Sequence, residues 1–366
     1  MGGCMVKKVY IYGAGKYGKI LYEKLHTHTD ISIQGFIDSY KKELKCYLGL
    51  PVEIPHQIQD TSARYIIAAQ SINSVKEMAR DLIEKGITDI WFFDNNGQKT
   101  TDFWQGNFIK IDMQWDTVLN HVEMHIMDAC NLNCRGCTHF APLFLKDIPD
   151  YSSRIEDVKT IAGKIDYIHN FYIMGGEPLL NPELDRYVVD IRKLLPNTRL
   201  YVVTNGLLVP KMNPELLYAI KQNRVMLSIS EYLPTKKIKR SINDILNEYN
   251  IWYEYRSYDE KKMFGIPLSL SKKSKHVHKC LSDGCVNIWN GMISRCPTVM
   301  YIHKLNEAFG TNLPQDGVYS LKDISGKEIE ELVKMKIPLC NHCVDYRIPW
   351  GKCGRKVTVE DFTVTD

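Results

Sequence analysis

Cys130, Cys134 and Cys137 stand as C-x3-C-x2-C inside Met127–Leu143, MDACNLNCRGCTHFAPL. Thiols this close in sequence cannot easily pair with one another and still leave an ordinary loop. Together they can wrap one small metal centre. A structural zinc normally takes four ligands arranged as two separated pairs. An iron–sulfur cubane is held by cysteine thiolates, and three of them leave one iron free to bind something else. The spacing favours a cluster, with zinc as the alternative.

Two predicted strands position this chemistry. His121–Met127 (HVEMHIM) alternates polar and apolar residues, the period of a strand, and feeds the cysteine loop. Phe171–Pro178 (FYIMGGEP) is a second strand running into Gly175, Gly176, Glu177 and Pro178. A cysteine loop after one strand and Gly-Gly-Glu-Pro after the next resemble the radical S-adenosylmethionine (SAM) superfamily over residues 120–257. The resemblance implies that the three cysteines hold a [4Fe–4S] cluster whose fourth iron is chelated by SAM. It also implies that Gly175, Gly176 and Glu177 contact the SAM amino group. That family often has an aromatic residue against adenine just before the third cysteine. Here the position is Gly136, and Phe140 or His139 is expected to substitute.

With 366 residues the chain is long enough for two or three domains. A net charge of +4, without basic runs interleaved with aromatics, does not indicate a nucleic-acid partner. No apolar run reaches the length of a membrane span, and no secretory start is visible. Eleven cysteines in such a chain fit the reducing cytoplasm, where clustered cysteines usually mean metal.

Residues 5–112 read as a small Rossmann-like domain. Val6–Tyr12 is a predicted strand that runs into Gly13-Ala14-Gly15-Lys16-Tyr17-Gly18, followed by a helical pattern. The strand Ile31–Ile37 ends in Asp38, placed to bind ribose hydroxyls. The module is too short for the two halves that hold a dinucleotide, so a nucleotide or nucleotide sugar, NAD, or plain strand–helix packing all remain open for Gly13, Gly15, Gly18 and Asp38.

Residues 113–275 alternate strands and helices, among them a strand at Arg199–Thr204, a helix at Pro214–Gln222 and a helix at Lys236–Glu248, which argues a parallel β/α architecture with ligands at the C-terminal strand ends. With the resemblance, this becomes a partial (β/α)6 barrel, and the overall class is α/β. Ser153 and Glu156 stand at capping-box distance before one helix. Thr204, Asn205, Ser228 and Ser230 stand at strand ends and are expected at SAM. His139 and Arg256 are candidate substrate-facing groups, each with a structural alternative.

Residues 276–366 form the third expected domain. Val286–Arg295 reads as a hairpin turning at Asn290-Gly291. A cysteine, this glycine, a second cysteine and a distant C-x2-C resemble the twitch domain, a shortened SPASM extension holding one auxiliary [4Fe–4S] cluster. The resemblance assigns Cys280, Cys296, Cys340 and Cys343 as its ligands and leaves Cys285 and Cys353 without a place. A zinc on the same thiolates is the alternative.

The activity this implies is reductive cleavage of SAM, with a flavodoxin- or ferredoxin-type reductant, and hydrogen abstraction from a small sugar-like or nucleotide-linked substrate. Oxidation or epimerisation follows. A maturase acting on a ribosomal peptide and a non-catalytic iron–sulfur scaffold are the competing readings.

Overall fold

A computed structural model of the chain describes residues 6–94, 108–145, 148–257, 264–272, 280 and 284–364. It divides into two compact units, Met1–Val118 and Leu119–Asp366. The expected boundary at residues 275 and 276 is therefore not a break between units.

The first unit is built from β1 (Lys7–Tyr12), α1 (Lys16–Leu25), β2 (Ile31–Ile37), β3 (Cys46–Tyr47), β4 (Leu50–Glu53), β5 (Arg64–Ile67), α2 (Ile72–Glu84), β6 (Ile90–Phe93) and β7 (Phe108–Ile111). Its sheet order is β3-β4-β2-β1-β5-β6-β7. Strands β4, β2, β1, β5 and β6 run parallel, and β3 and β7 close the edges antiparallel. Val9, Ile11 and Ile66 of the central strands are wholly buried, as the near-continuous apolar runs of a doubly covered parallel sheet require.

The second unit begins with β8 (Val118–Met127), the cysteine loop, α3 (Tyr151–Ala162) and β9 (Tyr167–Gly175). It continues through α4 (Leu184–Leu194), β10 (Arg199–Thr204), α5 (Pro214–Gln222), β11 (Val225–Glu231), α6 (Leu233–Lys237), α7 (Lys239–Glu248) and β12 (Tyr253–Ser257). The helix expected at Lys236–Glu248 is thus two helices, broken at Ile238, whose φ of −112° and ψ of 12° are not helical. Helix α3 starts at Tyr151, not after Ser153. Asp150 caps it by accepting the Ser153 N–H at 2.7 Å, so the expected capping box does not form.

The rest comprises β13 (Phe264–Ser269), β14 (Cys285–Trp289), β15 (Met292–Ser294), α8 (Pro297–Phe309), β16 (Val318–Ser320), α9 (Gly326–Leu332), β17 (Cys343–Ile348) and β18 (Thr363–Val364). The large sheet has the order β12-β11-β10-β9-β8-β14-β15-β16. Six of its strands are parallel, and the sixth, β14, stands beside β8 and not beside β12. The cysteine-rich C-terminal region is therefore stitched into the barrel sheet, which is why no third compact unit separates. Strands β13, β17 and β18 form a small sheet of their own.

One face of the parallel sheet is apolar. Val122, Met124, Phe171, Ile173, Leu200, Val202, Leu227, Ile229, Val286 and Ile288 join one buried core with α3, α4, α5 and α7. Strand periodicity sends the alternate residues to the other face. That face carries His121, Glu123, His125, Tyr172, Tyr201, Ser228, Ser230, Glu254, Arg256, Cys285 and Asn287. Glu254 and Arg256 at the β12 edge are exposed, but His125, Ser228, Ser230 and Asn287 are buried polar groups, so this inner face is where a ligand site is expected.

Candidate active site

Strand β8 delivers the cysteine loop to one end of this inner face. Cys130, Cys134 and Cys137 are free thiols. Burial first, and then the neighbouring loop thiols, raise Cys130 and Cys134. Burial pushes Cys130 up to about 11 and Cys134 up to about 12, so a metal centre there displaces protons. Burial acts the same way on Cys137, but the His139 ring beside it outweighs burial and holds that thiol below its ordinary range. N–H donors point at the sulfurs: Leu132 N–H to Cys130 Sγ at 3.4 Å and Trp350 Nε1–H to Cys134 Sγ at 3.2 Å. Clustered free thiols with N–H···S donors suit an iron–sulfur cluster.

The loop closes against the end of β9 through two glycines. Gly175 has φ +154°, and a Cβ there would overlap the Met127 carbonyl. One on Gly176 would overlap the carbonyls of Ala129 and Asp128. Their backbones can press onto the loop, with Gly176 N–H donating to Met127 O at 2.8 Å and Glu177 N–H to Ala129 O at 2.9 Å.

Glu177 is engaged by the protein itself. Its side chain is fully buried and accepts from Thr204 Oγ1 at 2.6 Å, Asn205 N at 2.8 Å and Leu179 N at 3.1 Å. Burial raises its carboxyl to about 7 against these donors. Thr204 is correspondingly turned inward. Asn205 donates to Asn131 Oδ1 at 2.6 Å and lies 3.9 Å from Cys130 Sγ. Glu177, Thr204 and Asn205 thus form a lock behind the cysteine loop, and none of the three offers a free side chain to SAM. Ser228 is also engaged, donating to Glu254 Oε1 at 2.8 Å. Ser230 lies next along the same face, in register with Arg256. Phe140, expected against adenine, is buried in the core around α8 and meets Phe362 edge-on at 5.4 Å, so it is not available for that contact.

Residues not singled out in the sequence dominate the inner face. His121 Nε2 and Glu123 Oε1 are 2.7 Å apart, and the His121 ring stacks on Tyr172 at 4.0 Å. Cys285, opposite His121 on β14, brings its thiol within 4.8 Å of both groups. Asn287, opposite Glu123, is buried with neither amide atom hydrogen-bonded. Glu123 Oε2, His125 Nε2, His139 Nε2 and Tyr301 Oη are likewise buried without a hydrogen-bond partner. So many unmatched polar atoms on one face mark a place where a polar ligand belongs. The signal in the sequence was the polar half of HVEMHIM, which on a barrel strand must point inward.

His139 lies 3.8 Å from Glu123 Oε2, an ion-pair distance too long for a hydrogen bond. Burial depresses it, but Cys137 and Glu123 together outweigh burial and hold it up at about 9. Arg256 lies 3.9 Å from Glu254 and over the Tyr172 ring. A guanidinium does not lose its proton in a protein, so Arg256 can bind but not deprotonate.

The C-terminal thiols also converge. Cys343 is raised first by burial and then by Cys296, Cys340 and Cys280, and Cys296 feels Cys280. Cys280 Sγ accepts from Arg295 at 3.6 Å. Cys285, within 4.8 Å of His121 and Glu123, is also raised by Cys280 and Cys296 after burial and Glu123, so it borders both groups. Cys353 lies at the cysteine loop, its N–H bonded to Asn133 O at 2.8 Å.

In the first unit, Gly13 has φ +123°, and a Cβ there would stand 2.7 Å from Ala68 O. A Cβ on Gly18 would overlap the Gly13 carbonyl, whereas Gly15 borders open space. Asp38 accepts from Ala14 N at 2.9 Å, Tyr40 N at 3.0 Å and Lys41 N at 2.9 Å. Its carboxylate ties the glycine turn to the end of β2 and is not free for a ribose.

Parallel β/α strands carry a three-thiol loop after the first strand and a glycine crossing after the second. Residues 124–254 match the family model for the Radical SAM superfamily. Curated relatives include a GTP 3′,8-cyclase of Microcystis aeruginosa, 28% identical over 120 residues, which are 32% of this chain and 36% of the relative. A GTP 3′,8-cyclase of Helicobacter pylori is 26% identical over 223 residues, 61% of this chain and 65% of the relative. The chain thus spans less than two thirds of the length of these relatives. Among solved structures, BtrN in complex with AdoMet and 2-DOIA aligns with a TM-score of 0.39 and 15% identity, over 64% of this chain and 96% of that one. SuiB of Streptococcus suis bound to S-adenosylmethionine aligns with a TM-score of 0.33 and 12% identity, over 40% of this chain and 36% of that one. No helix among the described residues is long and apolar enough to cross a membrane.

Proposed function

We propose that the protein is a radical SAM enzyme that oxidises or epimerises a small, polar, hydroxyl-bearing substrate held on the inner face of the barrel. The observation that carries this is the set of buried, unmatched polar atoms on β8 and β14, beside the Cys130–Cys137 loop and Cys285. Cys130, Cys134 and Cys137 would hold a [4Fe–4S] cluster, which with SAM and an external one-electron reductant would supply radical chemistry for hydrogen abstraction. A second cluster on Cys280, Cys296, Cys340 and Cys343 would supply an electron acceptor.

The chain's own residues do the rest. Glu123 Oε2 accepts from a substrate O–H, and Asn287 both donates and accepts. His121, held by the Tyr172 ring, fixes the orientation of Glu123. His139 Nε2 stands 3.8 Å from the same carboxylate. The helices packed on the opposite face keep the sheet rigid, so these groups are held in place against the target C–H. Oxidation needs the substrate O–H proton to leave. Burial raises the Glu123 carboxyl, but His121 and His139 outweigh it and hold the group well below the usual carboxylate range. Glu123 is therefore an ionised hydrogen-bond acceptor for that O–H and not a base matched to neutral pH.

The test is anaerobic reconstitution followed by SAM turnover with sugars, aminocyclitols, nucleotide sugars, GTP and peptides. The expected outcome is 5′-deoxyadenosine formed with a sugar-like substrate, deuterium transferred from its carbinol carbon, and a product two hydrogens lighter. Glu123→Gln should lower kcat by about 10²–10⁴ while leaving SAM affinity unchanged. A product of unchanged mass carrying solvent deuterium selects epimerisation, with Cys285 the first thiol to replace. Turnover of GTP alone, or of a peptide alone, would overturn the substrate class.

A further inference from the structure

The cysteine loop is crossed by a segment distant in sequence. Cys134 and Lys352 form an isolated antiparallel bridge. Around it, Arg135 N–H donates to Gly351 O at 3.0 Å and Cys353 N–H to Asn133 O at 2.8 Å. Further on, Gly136 N–H donates to Asp361 O at 2.6 Å and Arg135 Nε–H to Asp361 Oδ1 at 3.0 Å. Gly136 has φ +70°, and a Cβ there would collide with Gly265 O, so the loop is fitted between this segment and β13. Trp350 completes the crossing. Its ring stacks on Tyr232 at 5.3 Å and its indole N–H donates to Cys134 Sγ at 3.2 Å.

We propose that residues 350–361 are a strap that fixes the register of the cysteine loop. Within it, Trp350 is a positioning residue that raises the reduction potential of the cluster held by Cys134. The proposal rests on reading the Cys130–Cys137 loop as a cluster site. Reduction adds negative charge to the cluster and its sulfurs. An N–H aimed at a ligand sulfur stabilises that charge, and hydrogen bonds to sulfur are among the terms that set such potentials. Backbone pairing on both sides of Cys134 holds the sulfur where the indole reaches it. The stack on Tyr232 holds the indole where it reaches the sulfur.

Trp350→Phe keeps the ring and removes the donor. In the full-length, reconstituted protein, each cluster's potential is measured by redox titration followed by electron paramagnetic resonance. The expected result is a reduction equilibrium constant for the loop cluster lower by up to tenfold, equivalent to ~59 mV for a one-electron couple. The C-terminal cluster should keep its potential and the iron content should not change. If Trp350→Phe loads less cluster, the loaded fraction still reports its potential. Asp361→Ala tests the strap itself: amide hydrogen exchange at Arg135 and Gly136 should speed up at least tenfold. An unchanged loop-cluster potential, or equal shifts in both clusters, would overturn the assignment of Trp350. Unchanged exchange in Asp361→Ala would overturn the strap. A Cys130/Cys134/Cys137→Ala protein that retained all its iron would instead overturn the underlying cluster reading.

Discussion

Glu177→Gln tests the lock behind the cysteine loop. The carboxylate accepts three hydrogen bonds, and an amide nitrogen in place of Oε2 would face the Asn205 N–H as a second donor. Leaving a buried donor unmatched costs about 1–3 kcal/mol. The variant should therefore unfold at a lower temperature and hold less loop-cluster iron, as thermal denaturation and iron analysis will read. If its stability matched the wild type, the lock would be incidental. Replacing Cys130, Cys134 and Cys137 together by Ala should halve the roughly eight irons that two cubanes hold. The cysteines were legible because thiol spacing is a local property. Glu123 and Asn287 were not, since their meaning arises only when β8 and β14 pair and bring both onto one covered face.

At the scale of elements, helix α3 and the β14–β15 hairpin are joined by a strained pair of contacts. Asp157 Oδ1 accepts from Gly291 N at 2.9 Å, while its Oδ2 is buried with no partner. Burial raises this carboxyl to about 6 from 3.8, more than Gly291 and Arg154 lower it. A carboxyl whose folded value is raised contributes stability below its unfolded value, and that contribution is lost as pH climbs through the folded value. Asp157→Asn keeps an acceptor for Gly291 and removes the charge. The variant should be more stable than wild type by about 1–2 kcal/mol at pH 8, after allowance for solvent screening, with the gain fading toward pH 4. Urea unfolding at both pH values checks this, and a gain independent of pH would refute the charge argument. Several elements were readable from pattern alone: Ile31–Ile37, Arg199–Thr204 and Pro214–Gln222 lie where periodicity and turn residues put them. The placement of β14 was not readable, because a long connection separates it from β12 and nothing local states which edge a strand will join.

At the scale of the whole molecule, the two units can be probed separately. The glycine turn of the first unit has one position open to space, Gly15, and one with no room, Gly18. Gly15→Val should leave thermal stability unchanged, whereas Gly18→Ala should destabilise the chain by about 2 kcal/mol or more through overpacking. If a nucleotide-linked substrate approaches the turn, Gly15→Val will raise its KM and leave substrate-free SAM cleavage untouched. An unchanged KM with every nucleotide-linked substrate would leave the turn to strand–helix packing alone. The motif G-x-G-x-x-G was legible as a turn between strand and helix. The use of Asp38 was not, because backbone N–H groups that form only when the turn folds satisfy its carboxylate.

The segment over the cysteine loop also sets an order of events during synthesis. Arg135 and Asp361 are 226 residues apart. At ~5–20 residues per second, roughly ten to forty-five seconds pass between their emergence from the ribosome. Strand β8 is already made when that interval opens and β9 to β12 are made within it, so a nascent barrel presents its thiols uncovered before Trp350 and Asp361 exist. A carrier delivering iron and sulfide has that window; after release, the same thiols lie under the crossing segment and the exchange of metal slows.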